Sequence, residues 1–230
     1  MRIAVYYHCL FQFGDPTAIA PGATRIVLEQ MAAMRQSGLL DAADKFVVGV
    51  NGGDESDARI KLCFPEKAKV IKHGLASRAE NLTIMAMWDW VKALSTHEDW
   101  AILYFHAKGC THAPSSDYAQ FAGRWRTSMM KYCVTNWRQC VKDLESGNDV
   151  ACTYWMWDMG SDKSQHIPAG NFLWTKASFV RKLPSMYLRD RIKQDGIAAA
   201  SSRYEAEVAW GNGPRPVVKT YGTQGLGGVE

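Results

Sequence analysis

The chain has 230 residues, of which 47% are hydrophobic, 11% aromatic and 22% charged. This composition is globular and excludes a disordered chain, a collagen-like repeat and a disulfide mini-protein. Its net charge of +4, from 27 basic and 23 acidic residues, suits an anionic small ligand such as a nucleotide and is too mild to predict nucleic-acid binding. No apolar run approaches the roughly 18 residues that a membrane-spanning helix needs.

The opening MRIAVYYHCLFQFGD carries one basic residue and no small-residue cleavage site. It reads as a first strand rather than a signal peptide. A cytoplasmic chain follows, with six scattered, reduced and mostly buried cysteines. Residues 2–7 are strand formers, and a loop with Gly14, Pro16, Pro21 and Gly22 comes next. Ile26, Leu28, Met31, Met34 and Leu39 have helical spacing that stops at Ser37-Gly38. FVVGV at 46–50 and KVIKH at 69–73 predict a second and a third strand. Asn81 to Leu94 is a helix with an apolar face, and AILYFH at 101–106 is a fourth strand. A long helix is expected over 116–144, striped by Ala122, Trp125, Met129, Cys133, Trp137, Cys140 and Leu144. DVACTYW at 149–155 and NFLW at 171–174 read as strands, followed by a helix to Leu183 and another from Glu205 to Trp210.

Strands alternating with helices imply βαβ units, hence an α/β fold with a mainly parallel, Rossmann-like sheet flanked by helices. In such sheets ligands bind at the carboxyl ends of the strands. The residues found there are His8, the Gly-rich turn Asn51-Gly52-Gly53-Asp54, His106 to Lys108, Trp157-Asp158 and the turn before Asn171. Lys108 can meet phosphate as a point charge, although a strand-end lysine in solvent explains it equally well. HAKGCTH at 106–112 is a weak zinc signal without a fourth ligand. G-x-G-x-x-G, Walker and G-x-S-x-G sequences are missing.

In HIPAGNFLW (166–174), Ala169 and Gly170 permit close backbone approach, Asn171 offers a donor and an acceptor, and Trp174 offers a flat face. That mix suits a sugar or a base; a tight turn entering a core strand, with Trp174 buried, explains the same residues, and explains Trp174 better than Asn171. RYEAEVAWG (203–211) carries Glu205 and Glu207 at i and i+2, so only one of them can face a given cleft. Asp158 is a second candidate carboxylate, with a pKa raised if its aromatic neighbours bury it.

YFHAKG, a following W-R-x-x-M helix at Trp125-Arg126, GNFLW and RYEAEVAWG occur in this order. Together they resemble signatures of glycosyltransferase-like proteins of bacterial, phage and large-virus genomes, often tied to polysaccharide or rhamnose-containing glycan synthesis. The resemblance runs from about Arg2 to Gly211. It implies a GT-A-like fold in a single domain over 1–221, with a nucleotide-sugar half (about 1–115), an acceptor half (about 116–221) and a Gly-rich tail at 222–230. By this resemblance Tyr7, His8, Asn51 and Gly52 would hold the nucleobase and ribose. His106, Lys108 and Arg126 would meet the diphosphate of a nucleotide-sugar donor. His166, Gly170, Asn171, Trp174 and Glu205 would border sugar and acceptor, and Glu207, with Asp158 as the other candidate, would be the catalytic base. No Asp-x-Asp triplet occurs, so the need for a divalent metal (Mn or Mg) stays open, and Leu173 stands where the family has the first of two tryptophans. The acceptor is first a glycan. A hydroxymethylated DNA base would need a basic track such as Arg124/Arg126, Lys176/Arg181/Lys182 and Arg189/Arg191/Lys193. A non-catalytic nucleotide-sugar-binding module is the third reading.

Overall fold

The computed structural model describes residues 1–13, 15–53, 56–74, 80–159, 165–184 and 203–222. Its strands are β1 (Arg2–Leu10), β2 (Gln12–Phe13), β3 (Asp15–Ile19), β4 (Lys45–Asn51), β5 (Lys69–Lys72), β6 (Trp100–His106), β7 (Val150–Cys152), β8 (Trp155–Met159), β9 (Gln165–Pro168), β10 (Leu173–Lys176) and β11 (Val218–Thr220). The helices are α1 (Ala23–Gln36), α2 (Leu39–Ala42), α3 (Ser56–Cys63), α4 (Asn81–Ala93), α5 (Asp117–Met129), α6 (Trp137–Glu145), α7 (Ala177–Val180) and α8 (Arg203–Gly211), with a π-helical stretch at Met130–Thr135.

A seven-stranded sheet in the order β11-β7-β10-β6-β1-β4-β5 forms the centre, and β2-β3 and β8-β9 are separate small ribbons. β1, β4, β5 and β6 run parallel to one another, and β11 runs parallel to β7. β10 alone is antiparallel to both of its neighbours, β6 and β7. This is the Rossmann-like, mainly parallel α/β class expected from the sequence. β1 is buried at every position after Arg2 because helices cover both faces of the sheet. Period-two alternation then splits its side chains. Val5, Tyr7 and Cys9 join the core under α1, the π-helical stretch and α6. Ala4 and Tyr6 join the core under α4, α7 and α8.

The first four predicted strands and the helices at 23–36 and 81–93 lie where their apolar patterns place them. The helix expected over 116–144 is instead two α-helices joined through the π-helical stretch, whose extra residue per turn keeps Cys133, Trp137 and Cys140 facing the core. The strand expected at 149–155 is two strands, β7 in the main sheet and β8 in a ribbon. β2, β3, β9 and β11 were not expected, being short and without clear alternation. All six cysteines are buried and free. No helix among the described residues is long and apolar enough to cross a membrane.

Candidate active site

Because β10 runs against β6, its first residue Leu173 pairs with Tyr104 near the carboxyl end of β6. The turn that leads into β10 therefore reaches the same sheet edge as His106. That turn is closed by Asn171 N–H donating to Pro168 C=O at 2.9 Å. Its third residue, Gly170, has φ 84°, the left-handed value that a type II turn demands there. A Cβ on Gly170 would stand 2.7 Å from Met129 Sδ and 3.3 Å from Trp125 Cε2, so a side chain here would have to displace Met129 as well as strain the backbone. Asn171 is also left-handed, at φ 56°, which asparagine tolerates better than most residues.

Both sides of the Gly170 residue are held. Its N–H donates to Glu207 Oε1 at 3.2 Å, and its C=O bonds His106 Nε2 at 3.0 Å. A carbonyl only accepts, so Nε2 carries the hydrogen. His106 Nδ1 then lies 3.1 Å from Glu80 Oε1, an ion pair when the ring is protonated. Glu80 is the hub of this network. Its Oε2 accepts from Asn171 Nδ2 at 2.6 Å and from the Tyr104 hydroxyl at 3.1 Å. Asn171 Oδ1 in turn accepts from Trp210 Nε1 at 2.7 Å, one turn of α8 beyond Glu207. Glu207 is only 6% exposed.

Beyond His106, Lys108 is 5% exposed, and its Nζ sits 4.2 Å over the Trp125 ring. Arg126 Nη1 donates to the Lys108 carbonyl at 2.7 Å, while Nη2 lies 3.7 Å from Glu29. Arg126 thus holds the Lys108 loop in place instead of presenting both nitrogens to a donor. On the other side of β6, His8 Nδ1 and His73 Nε2 share the Thr83 hydroxyl at 2.8 and 2.9 Å. A Cβ on Gly49 would collide with that hydroxyl, which explains the glycine in β4. His8 Nε2 and both amide atoms of Asn51 are buried without a protein partner. Such orphans are uncommon in folded proteins and call for a partner such as a water or a polar ligand group. Both residues lie at the carboxyl ends of the adjacent strands β1 and β4, and Gly52 follows directly, its N–H on Gly74 C=O at 3.1 Å.

The structure thus brings together Glu207, Gly170, Asn171, His106 and Lys108, and places His8 and Asn51 on neighbouring strands of the same edge. Several expectations need correction. Tyr7 is fully buried on the opposite face from His8, its hydroxyl donating to Gln30 Oε1 at 2.6 Å and its ring against Phe105. Strand alternation puts one of the pair Tyr7-His8 into the core. Trp174 is also core, with its indole N–H on Cys133 C=O at 2.7 Å, and offers no face to a sugar. Asn171 uses its amide internally, bracing Glu80 and Trp210. Asp158 is exposed, so its aromatic neighbours do not bury it, and its backbone N–H donates to His166 Nδ1 at 3.2 Å. His166 belongs to the β8-β9 ribbon, stacked edge-on against Trp157, and its carbonyl lies where a Cβ on Gly211 would be. It therefore packs the end of α8. The side chain of Glu205 lies outside the described residues, as do Arg189, Arg191, Lys193 and the tail from 223. Arg181, from the suggested basic track, donates to the carbonyls of Ser95 and Glu98. Glu80 was missed altogether. The one signal available was a lone acidic residue directly before a helix. Among the described residues no three His, Cys, Asp or Glu side chains cluster so as to hold a metal ion, and no residue here is assigned to one.

Residues 6–209 match the model of a family described as a domain of unknown function, DUF8361. The chain belongs to the DUF8361 family. No curated protein matches it in sequence. Among solved structures, this DUF8361 member is similar to 4-diphosphocytidyl-2C-methyl-D-erythritol synthase from Anaerococcus prevotii, at 10% identity and a TM-score of 0.47, over 96% of this chain and 86% of that one. It is also similar to HddC from Yersinia pseudotuberculosis, crystallised with GMP-PN, at 10% identity and a TM-score of 0.46, over 97% and 91% of the two chains.

Proposed function

We propose that this protein is a nucleotide-sugar-dependent glycosyltransferase that inverts the anomeric centre and acts on a glycan hydroxyl. The observation that carries the reading is the near-buried Glu207 carboxylate. One main-chain N–H fixes it on the turn that His106 holds beside Lys108. The order of the YFHAKG, GNFLW and RYEAEVAWG segments supports it as well.

Glu207 takes the proton of the acceptor hydroxyl as that oxygen bonds the anomeric carbon. The bond from that carbon to the donor phosphate breaks on the opposite side, and a nucleoside diphosphate leaves. The single displacement gives inversion. The Gly170 N–H orients the carboxylate before reaction. Lys108, two residues past His106, meets the charge that grows on the leaving diphosphate. His8 Nε2 and the Asn51 amide supply a nitrogen and a donor-acceptor pair for the nucleoside.

The test incubates the protein with a panel of nucleotide-sugars, with and without Mn²⁺, and follows nucleoside diphosphate release. Glu207→Gln should lower transfer by about 10²–10⁴-fold, the contribution of a general base, with donor affinity unchanged. Activity that survives this substitution removes Glu207 as the base. Donor binding without release from any nucleotide-sugar replaces the enzyme reading with a binding module.

A further inference from the structure

We infer that the aromatic row on α5 is a platform for a carbohydrate chain, which it leads to the Gly170–Glu207 turn. The inference rests on the proposed function for what happens at the end of the row, and on the surface itself for the binding. The exposed large apolar side chains of the described residues are Met1, Leu28, Leu62, Tyr118, Phe121 and Val217. They sit on separate elements except for Tyr118 and Phe121, which lie one helical turn apart on α5 and are 47% and 39% exposed.

Their rings continue in both directions. His112 lies 4.3 Å from Tyr118, Tyr118 lies 6.5 Å from Phe121, Phe121 lies 6.1 Å from Trp125, and Trp125 lies 6.4 Å from Tyr154, all between ring centroids. The planes of the last three pairs are inclined by 55°, 60° and 62°, so neighbouring rings meet edge to face in one unbroken row, each offering a face at its own angle. At the inner end Trp125 touches the Gly170 turn, carries Lys108 over its face and has a buried indole N–H with no protein partner. The row therefore runs from solvent to the residue that holds Glu207.

An aromatic strip of this kind takes the apolar C–H face of a sugar ring, while ring hydroxyls stay in water. Charge favours carbohydrate over nucleic acid. The basic residues of α5 are Arg124 and Arg126, Arg126 is engaged by Glu29 and the Lys108 carbonyl, and Asp117 opens the helix. A phosphate backbone would want several cations along the row.

The test is direct binding, which needs no turnover. The full chain is titrated with maltohexaose, cellohexaose, chitohexaose and rhamnan oligosaccharides, and with oligo(dT) in a separate arm. The same titrations are repeated on Tyr118→Ala/Phe121→Ala, whose side chains are exposed and whose folding is checked by circular dichroism. At least one glycan should bind, and the double variant should lose about tenfold or more of that affinity, the loss expected of anchoring aromatics. Donor hydrolysis without acceptor should be unchanged. The inference is overturned if no glycan of the panel binds, if glycan binding survives the double substitution, or if oligo(dT) alone binds and depends on the two rings. Glycan binding that depends on them, in a protein that turns over no nucleotide-sugar, leaves the platform standing and removes the transferase reading instead.

Discussion

Glu80→Ala tests whether the network around Gly170 is held from Glu80. The substitution removes the acceptor of the Asn171 amide and the Tyr104 hydroxyl, and the partner of His106 Nδ1. Tyr104 and Asn171 are buried, so each is left with an unsatisfied donor at about 1–3 kcal/mol. His106 is partly exposed and recovers a water. The sum is roughly 2–6 kcal/mol, a large share of a typical stability of about 5–15 kcal/mol. With a urea m-value near 2.5–3 kcal/mol/M for a chain of this size, a loss of about 4 kcal/mol moves the midpoint by roughly 1.5 M. Glu80→Gln keeps an oxygen for Asn171 and Tyr104 and turns an NH₂ toward His106, whose Nδ1 then accepts while Nε2–H still reaches Gly170. It should cost only about 1–2 kcal/mol, the difference between charged and neutral acceptors. The assay is urea unfolding followed by tryptophan fluorescence. A Glu80→Ala midpoint within about 0.3 M of wild type, or a Gln variant as unstable as the Ala variant, refutes the hub.

Gly170→Ala should destabilise by about 2–4 kcal/mol, from the left-handed backbone and the overlap with Met129 Sδ, and lower the melting temperature by roughly 5–15 °C. An unchanged melt contradicts the turn geometry. Lys108→Met keeps the apolar stem over Trp125 and removes the charge, so kcat should fall by an amount equivalent to about 2.7–4 kcal/mol in activation free energy. An unaltered kcat assigns the diphosphate charge elsewhere. Burial holds the His8 imidazole well below its usual pKa, with His73 and His106 adding repulsion, and burial lowers His73 to about 4. Unfolded histidines titrate near 6.5, so stability is whole above about pH 6.5. It is lost as pH falls from there, toward about 4 for His73 and in the same direction for His8, by at most ~1.4 kcal/mol per pH unit each. His73→Gln should make the stability lost between neutral pH and about pH 5 smaller, and an identical loss refutes the burial argument.

The parallel half of the sheet was legible because RIAVYY, FVVGV and AILYFH are continuous apolar runs, the mark of strands covered on both faces. Their carboxyl ends followed from topology alone, which is why His8, Asn51, His106 and Lys108 could be singled out. Facing was not legible. Tyr7 and His8 are neighbours in sequence and opposite in space, and Trp174, although the better candidate for the core than Asn171, is assigned there only once the strand register is known. Glu80 carries no motif, since its partners come from β6, from the turn before β10 and, through Asn171, from α8. β8, β9 and β11 are too short for a period to show.

The position of β10 has a consequence for the order in which the molecule assembles. β5, β4, β1 and β6 lie within the first 106 residues and can pair as soon as they exist. The AILYF edge of β6 has no partner until residues 107–172 have also been placed, because the strand that covers it is Leu173–Lys176. A refolding chain in which residues 107–172 are not yet placed would therefore expose a half-sheet with a sticky, apolar rim. Yield should fall with protein concentration for a reason that the finished molecule, with that rim sealed, no longer displays.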